Sequence, residues 1–285
     1  MKKLIRLFAL FFILQSFVLA QTSDRQRAGL SGPVKSVREE TAKLRNNDGQ
    51  VTEGPRVLTQ SLSFDERGSI IESLANNPDG SRRSTNSWGL TYDSEGNEIE
   101  KMYYNAEGKL TGKGVSIYDS GGKIVQLTHY TPDGKVNHHQ VYIYDERGRK
   151  IREHHRNPDG SVRSTVVFIY GDNQQPVEEV YYRPDGRISQ RSVIGYDDRG
   201  NKTEWVAYNE RGEIGLKHTY KYDASGNLIE LINYGNGNAP VIKGSYTYEF
   251  DSVGNWIKRK TVRETSRDRS VEIETILTYR TITYY

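Results

Sequence analysis

The feature that most constrains this chain is a register. An aromatic residue followed by aspartate returns at Phe64-Asp65, Tyr92-Asp93, Tyr118-Asp119, Tyr144-Asp145, Tyr196-Asp197, Tyr222-Asp223 and Phe250-Asp251. Counting a copy at Tyr170, where Gly171 replaces the aspartate, the leading aromatics stand 28, 26, 26, 26, 26, 26 and 28 residues apart. Self-similarity at a fixed period of this size marks a repeat array, in which each unit buries its apolar face only against its neighbours.

One unit, residues 144–169, shows what is repeated. It holds two turns of the form Asx-x-x-Gly, Asp145 to Gly148 and Asn157 to Gly160. Asx at the first position bonds the turn backbone, and Gly at the fourth takes the left-handed conformation of a hairpin bulge. The two turns alternate along the array, so each unit is two strands of about eight or nine residues. No window carries a helical apolar period.

Pairing each Asx with the residue after its Gly and counting outward sets Leu110, Val136, Val162, Ile188 and Ile214 against the Tyr column that includes Tyr104, Tyr130, Tyr182 and Tyr208. The same count puts the leading Tyr, and the residues two before it, on that face, which is therefore the expected core. Extended outward, the pattern gives an all-β fold of about eighteen strands in one antiparallel meander. Open sheets beyond about ten strands curl or close, so a coiled spiral shell, open or closing as a wide barrel, is expected, with the Tyr-rich face inward. A closed lumen would favour containment or small ligands, and an open spiral a partner surface. Residues 33–285 form this single domain and residues 21–32 an unpacked linker.

Residues 1–20 carry Lys2, Lys3 and Arg6, an apolar run and Val18-Leu19-Ala20, the pattern of an export signal. The apolar run is too short to span a membrane. Removing the signal's three basic residues turns 40 Lys+Arg against 37 Asp+Glu into 37 against 37. A neutral chain lacks the basic surplus that nucleic acid or an anionic membrane requires. Cysteine is absent, which excludes disulfides, a thiolate nucleophile and a cysteine-linked lipid anchor. The expected location is periplasmic or extracellular.

Five of the six His fall between residues 129 and 155. The counted register pairs His139 with His155 and sets His129 diagonally adjacent, with Cβ atoms roughly 5 to 8 Å apart, so that three imidazoles converge as a possible Zn²⁺ or Cu²⁺ site. The alternative is that they are exposed polar strand residues. No other cofactor is indicated. Glu72, Glu100, Glu178, Glu204 and Glu230 form a recurring column on the expected core side. A catalytic centre is one place, so a column that recurs reads as structural, each carboxylate bonding a neighbouring Tyr or Arg. Glu204 is the exception, because the count sets it opposite His218 beside Trp205, and these two are the candidate catalytic pair of a carbohydrate-active hydrolase or lyase. Tyr104, Tyr130, Tyr182, Tyr208 and Tyr234 are candidate stacking surfaces for sugars.

The Y-D-x-x-G-N/R element, as in Tyr92 to Asn97 and Tyr144 to Arg149, resembles the YD repeats of the rearrangement-hotspot (RHS) family over roughly residues 60–260. Segments such as Tyr181 to Arg187 also resemble the hairpins of MORN-type repeats. The YD resemblance implies a coiled β-sheet shell and roles in cell-surface contact, carbohydrate association or toxin encapsulation. The present unit is longer than the usual YD spacing, and the chain ends on a strand with no further domain. The function expected is that of an exported, non-enzymatic β-repeat protein presenting a surface to envelope polysaccharide or a protein partner, or a shell for a separately encoded cargo.

Overall fold

The computed structural model describes residues 23–47, 50–77, 79–172, 174–236, 239–267 and 270–285. The expected export signal, residues 1–20, and part of the turn expected at Asn46 to Gly49 lie outside them. Among the described residues nineteen antiparallel strands form one sheet. Strand Val34–Asn47 pairs with Val57–Phe64 on one side and with Ser270–Tyr284 on the other, through Val37↔Leu62 and Val37↔Ile282. The sheet therefore closes. The short strand Gln50–Glu53 pairs only with the end of Val34–Asn47, which leaves eighteen strands in the ring. At about 4.8 Å between strands and a tilt of about 40°, such a ring is about 110 Å around.

The turns form as their residues dictate. In the specimen unit, Asp145 N–H donates to Arg149 O at 2.9 Å and Gly148 N–H to Asp145 O at 2.8 Å. The Asp145 carboxylate accepts the Arg147 and Arg149 amides at 3.0 and 2.8 Å. Gly148 sits at φ 77°, where a side chain would be strained.

One residue further on, the ladders depart from simple counting. Tyr144 faces Lys150 as expected, but Ile143 faces Arg152, so Ile151 is an extra residue in a bulge. The second turn does the same: Arg156 faces Val162, and His155 faces Ser164, with Arg163 extra. Equivalent shifts follow the hairpins from Phe64 to Tyr222. A bulge moves every residue beyond it to the opposite face from the one counting gives. The expected pairs Tyr104↔Leu110, Tyr130↔Val136, Tyr182↔Ile188 and Tyr208↔Ile214 do form, yet they do not share a face with the leading Tyr.

The two faces differ physically. The outer one shows Ile117, Ile143 and Ile169 at 49%, 38% and 44% exposure, beside the ion pairs Lys113–Glu100 at 2.7 Å and Arg191–Glu178 at 2.6 Å. On the inner one, burial pushes the phenols of Tyr103, Tyr142 and Tyr248 upward and that of Tyr181 to about 12. Most inner side chains are still half-exposed, so the interior is a wetted lumen lined by polar rings and not a packed core.

The packed core lies at the rim that carries the aromatic-Asp turns. Leu30, Val34, Val37 and Phe64 are buried together there. Residues 23–32, expected as a linker, are part of it. Helix Asp24–Arg27 is opened by a Ser23–Gln26 capping box. Arg25 donates to the Asp65 and Glu66 carbonyls at 2.8 and 3.2 Å, and Asn255 exchanges hydrogen bonds with Ser31 at 2.7 and 2.9 Å.

The leading Tyr lock one hairpin to the next. The hydroxyls of Tyr118, Tyr144, Tyr170 and Tyr196 donate to the carbonyls of Glu98, Ile124, Lys150 and Pro176 at 2.8, 2.8, 2.7 and 3.0 Å. Each acceptor is the first residue of the neighbouring strand, where the ladder to the next hairpin has ended. The phenol satisfies a carbonyl that the sheet leaves unpaired.

Candidate functional site: the inner wall

Strand alternation aims a run of rings and ionisable groups into the lumen. Tyr103 stacks on His129 with centroids 6.2 Å apart, and His129 on His138 at 4.2 Å with the planes 15° from parallel. The cross-strand pair His129↔His138 creates that stack. Two strands further on, Glu153 accepts from Lys150 at 2.7 Å and from His155 Nε2 at 3.0 Å. Lys150 lies over the Tyr142 and Phe168 rings at 5.3 and 4.6 Å. Across the lumen wall, Trp205 packs on His218 at 5.5 Å and Tyr220 meets His218 edge-on at 6.2 Å.

The charge states follow from partial burial. Desolvation holds His129 and His138 below the ordinary imidazole range, helped at His129 by His138 and at His138 by Arg163, His155 and His139. Burial also lowers His218 and raises the Glu98 carboxyl. Arg280 is sandwiched between the Glu39 carboxylate at 2.8 Å and the Trp256 ring at 3.5 Å. The wall thus presents aromatic rings and imidazoles with amide and hydroxyl edges, and among its carboxylates Glu153 and Glu39 are already engaged.

The candidate residues read from the sequence fall on both walls. His129 and His155 point inward, but His139 points outward, its Nδ1 3.0 Å from the Thr128 hydroxyl. The bulge beside Tyr144 pairs His139 with Arg156 and not with His155, so the expected three-imidazole site is not assembled. Among the described residues no group of three or more His, Asp or Glu stands ready to hold a metal. Glu204 and His218 are likewise separated. Glu204 pairs with Thr219, and Trp205 with His218; Glu204 faces out, bound to Lys217 at 2.5 Å, while His218 faces in.

The Glu column as a whole lies on the outer wall, contrary to the count. Glu178 binds Arg191 there, whereas Glu100, Glu204 and Glu230 bind Lys113, Lys217 and Lys221 in place of the expected Tyr or Arg. Of the five candidate stacking residues, Tyr130, Tyr208 and Tyr234 lie outside under Lys113, Arg191 and Lys217 at 5.6, 5.5 and 5.8 Å. Tyr104 and Tyr182, at the same point of their repeats, share that outer face. The inner groups that counting missed, Tyr103, Lys150 and Glu153, carry a signal only once the bulges are known.

The mid-strand ion pairs define the outer wall's medium. A lipid-facing barrel needs an apolar band, and Lys or Arg at its midplane costs about 2–4 kcal/mol each. This wall is built for water.

No protein-family model matches the chain, and no curated protein matches it. Solved structures do resemble it in outline. A porin-like protein from Bacteroides uniformis is 13% identical with a TM-score of 0.44, over 89% of this chain and 98% of that one. A porin-like protein from Bacteroides vulgatus is 11% identical with a TM-score of 0.28, over 90% and 99%. The Tc holotoxin pore of Photorhabdus luminescens is 16% identical with a TM-score of 0.37, over 79% of this chain and 14% of that one.

Proposed function

We propose that this is an exported, non-enzymatic binding protein of the cell envelope, a YD-type repeat barrel whose inner wall takes a segment of envelope carbohydrate. The observation that carries the reading is the half-exposed row of rings and imidazoles facing the lumen, from Tyr103 through His129 and His138, with Trp205 and His218 opposite. Pyranose rings stack their C–H faces on such surfaces and bond their hydroxyls to the polar edges. Repetition without a unique acid–base pair supports binding over turnover, and Glu204 and His218 on opposite faces remove the pair on which the hydrolase alternative rested. A glycan array with the mature chain tests the reading. Trp205→Ala and His129→Ala should lower retention of a bound glycan, while outer-wall Tyr208→Ala should not. Equal losses from all three, or no glycan retained, would overturn it.

Ring closure favours one second reading, a shell for a separately encoded polypeptide. Co-purification of a folded or unfolded chain inside the barrel, released only on unfolding, would select it.

A further inference from the structure

The repeat that starts at Tyr144 breaks the pattern of the others, and its departures converge. Twelve residues after the leading aromatic five other copies carry Tyr104, Tyr130, Tyr182, Tyr208 and Tyr234, the Phe64 and Phe250 copies carry Asn76 and Val262, and this one carries Arg156. Nineteen after it four other copies carry Thr111, Asn137, Ser189 and Gly215, against Arg163 here and Arg83 in the Phe64 copy. At the position of His138 the neighbouring copies hold Gly112, Ser164 and Gln190. The ladders bring His155 and Ser164 together as a pair, with Arg163 the bulged residue beside them and His138 diagonally across on the preceding strand, while Arg156, opposite His139 and Val162, reaches the same end of the strand from the outer face. Together Arg156, Arg163, His138, His155 and Ser164 line a cavity of about 260 Å³.

We infer that this cavity is an anion site, built for an oxyanion such as the phosphate ester or uronate carboxylate of an acidic sugar. Its lining includes two guanidinium groups and no carboxylate. No carboxylate pairs with Arg156 or Arg163 among the described residues, and Glu153, the acid on His155 Nε2 at 3.0 Å, is also taken by Lys150 at 2.7 Å. Arg156 spends one terminal nitrogen on the Gly160 carbonyl at 3.1 Å, but its Nε is buried with no acceptor. That Nε is closed to solvent, so the donors open to an anion are the exposed Arg163 guanidinium and the imidazoles. Arg163 is exposed at the cavity mouth, and the bulge is what re-aims it there. The fork of donors suits a planar or tetrahedral oxyanion, for which arginine is the preferred partner. The repulsion among His138, Arg163 and His155 is of the sign that an anion would relieve.

This inference deepens the carbohydrate reading but is tested separately from it. Inorganic phosphate and glucuronate are titrated into the full chain, with the imidazole NMR signals of His138 and His155 as the readout. Saturable shifts with either probe support the site, and the tighter probe identifies the class of anion. Arg156→Tyr restores the residue that five other copies carry, so it should fold. It and Arg163→Ser should each weaken binding about tenfold, the loss of one guanidinium from the lining. Arg211→Ser, which removes an exposed charge from another second turn, should leave it unchanged. Non-saturating shifts, unchanged affinity in Arg156→Tyr and Arg163→Ser, or an equal loss in Arg211→Ser would overturn the site. If neutral glycans bind and neither anion does, the anion site alone fails; if an anion binds and no glycan is retained on the array, the carbohydrate reading alone fails.

Discussion

The Tyr170 hydroxyl donates a 2.7 Å hydrogen bond to the Lys150 carbonyl, although Tyr170 is the one leading aromatic not followed by aspartate. The aspartate and the tyrosine therefore do separate work. Aspartate shapes its own turn, whereas the phenol reaches back 20 residues to the hairpin before it. A degenerate copy can lose the first and keep the second.

Tyr170→Phe keeps the ring and removes that bond, stranding a carbonyl at a gap in the ladder. The expected cost is about 1 kcal/mol, or about 2–4 °C in Tm for a domain of this size. Tyr182→Phe, on the outer wall, should change Tm little. Thermal unfolding followed by circular dichroism compares the two, and equal shifts would mean that the phenol contributes nothing as a lock.

Arg25 ties residues 23–32 to the rim through the Asp65, Glu66 and Gly32 carbonyls, and is 9% exposed. Arg25→Ala leaves those carbonyls unpaired, for an expected loss of about 2–3 kcal/mol. Amide hydrogen exchange should accelerate first around Phe64 and Gly68. Protection unchanged there would show that the rim holds without the cap.

The outer ion pairs should matter far less. Arg191 grips Glu178 with two bonds, at 2.6 and 2.9 Å, but its side chain is 43% exposed. A double-mutant cycle with Arg191→Ala and Glu178→Ala should give a coupling of about 0.2–1 kcal/mol that shrinks with added salt. A larger, salt-insensitive coupling would mean that the outer wall is shielded from water.

Stability should fall as the solution is acidified below about pH 6.5. Burial holds His129, His138, His154 and His218 below the ordinary imidazole value in the barrel. Between the folded and unfolded values the unfolded chain binds more protons, so this stability is complete above the unfolded value and is lost as pH drops through the window. Glu98 acts in the opposite sense and lower, its carboxyl raised from 4.5 by burial. Replacing His129 and His138 by Gln should flatten the dependence of Tm on pH between 5 and 7; an unaltered slope would remove the imidazoles as its cause.

Much of the architecture was legible because turn chemistry is local. Asp145, Gly148, Asn157 and Gly160 announce two hairpins without reference to anything distant, and the repetition of that pair predicts the strand count. The faces were not legible, since Ile151 and Arg163 look like ordinary strand residues yet each adds one place to its strand. Such single places turn His155 inward away from His139, send Glu204 outward and bring His138 to His129. Nor did the segment around Leu30 show its packing, because its partners Val37 and Phe64 lie on the strands Val34–Asn47 and Val57–Phe64 and nothing local in residues 23–32 points to them. Ser23 and Gln26 were its one local signal, three residues apart as a capping box requires.

Closure of the ring sets an order of events. Arg280 meets Glu39 across 241 residues of chain, and contacts so far apart form slowly because the intervening loop must be closed first. Synthesis delivers Val34–Asn47 long before Ser270–Tyr284, and until the later strand arrives the growing sheet has two unsatisfied edges, each a template for another copy's edge. The last strand to be made is thus the latch against self-association, and a chain cut short within it would be expected to polymerise edge to edge even with every repeat correctly formed.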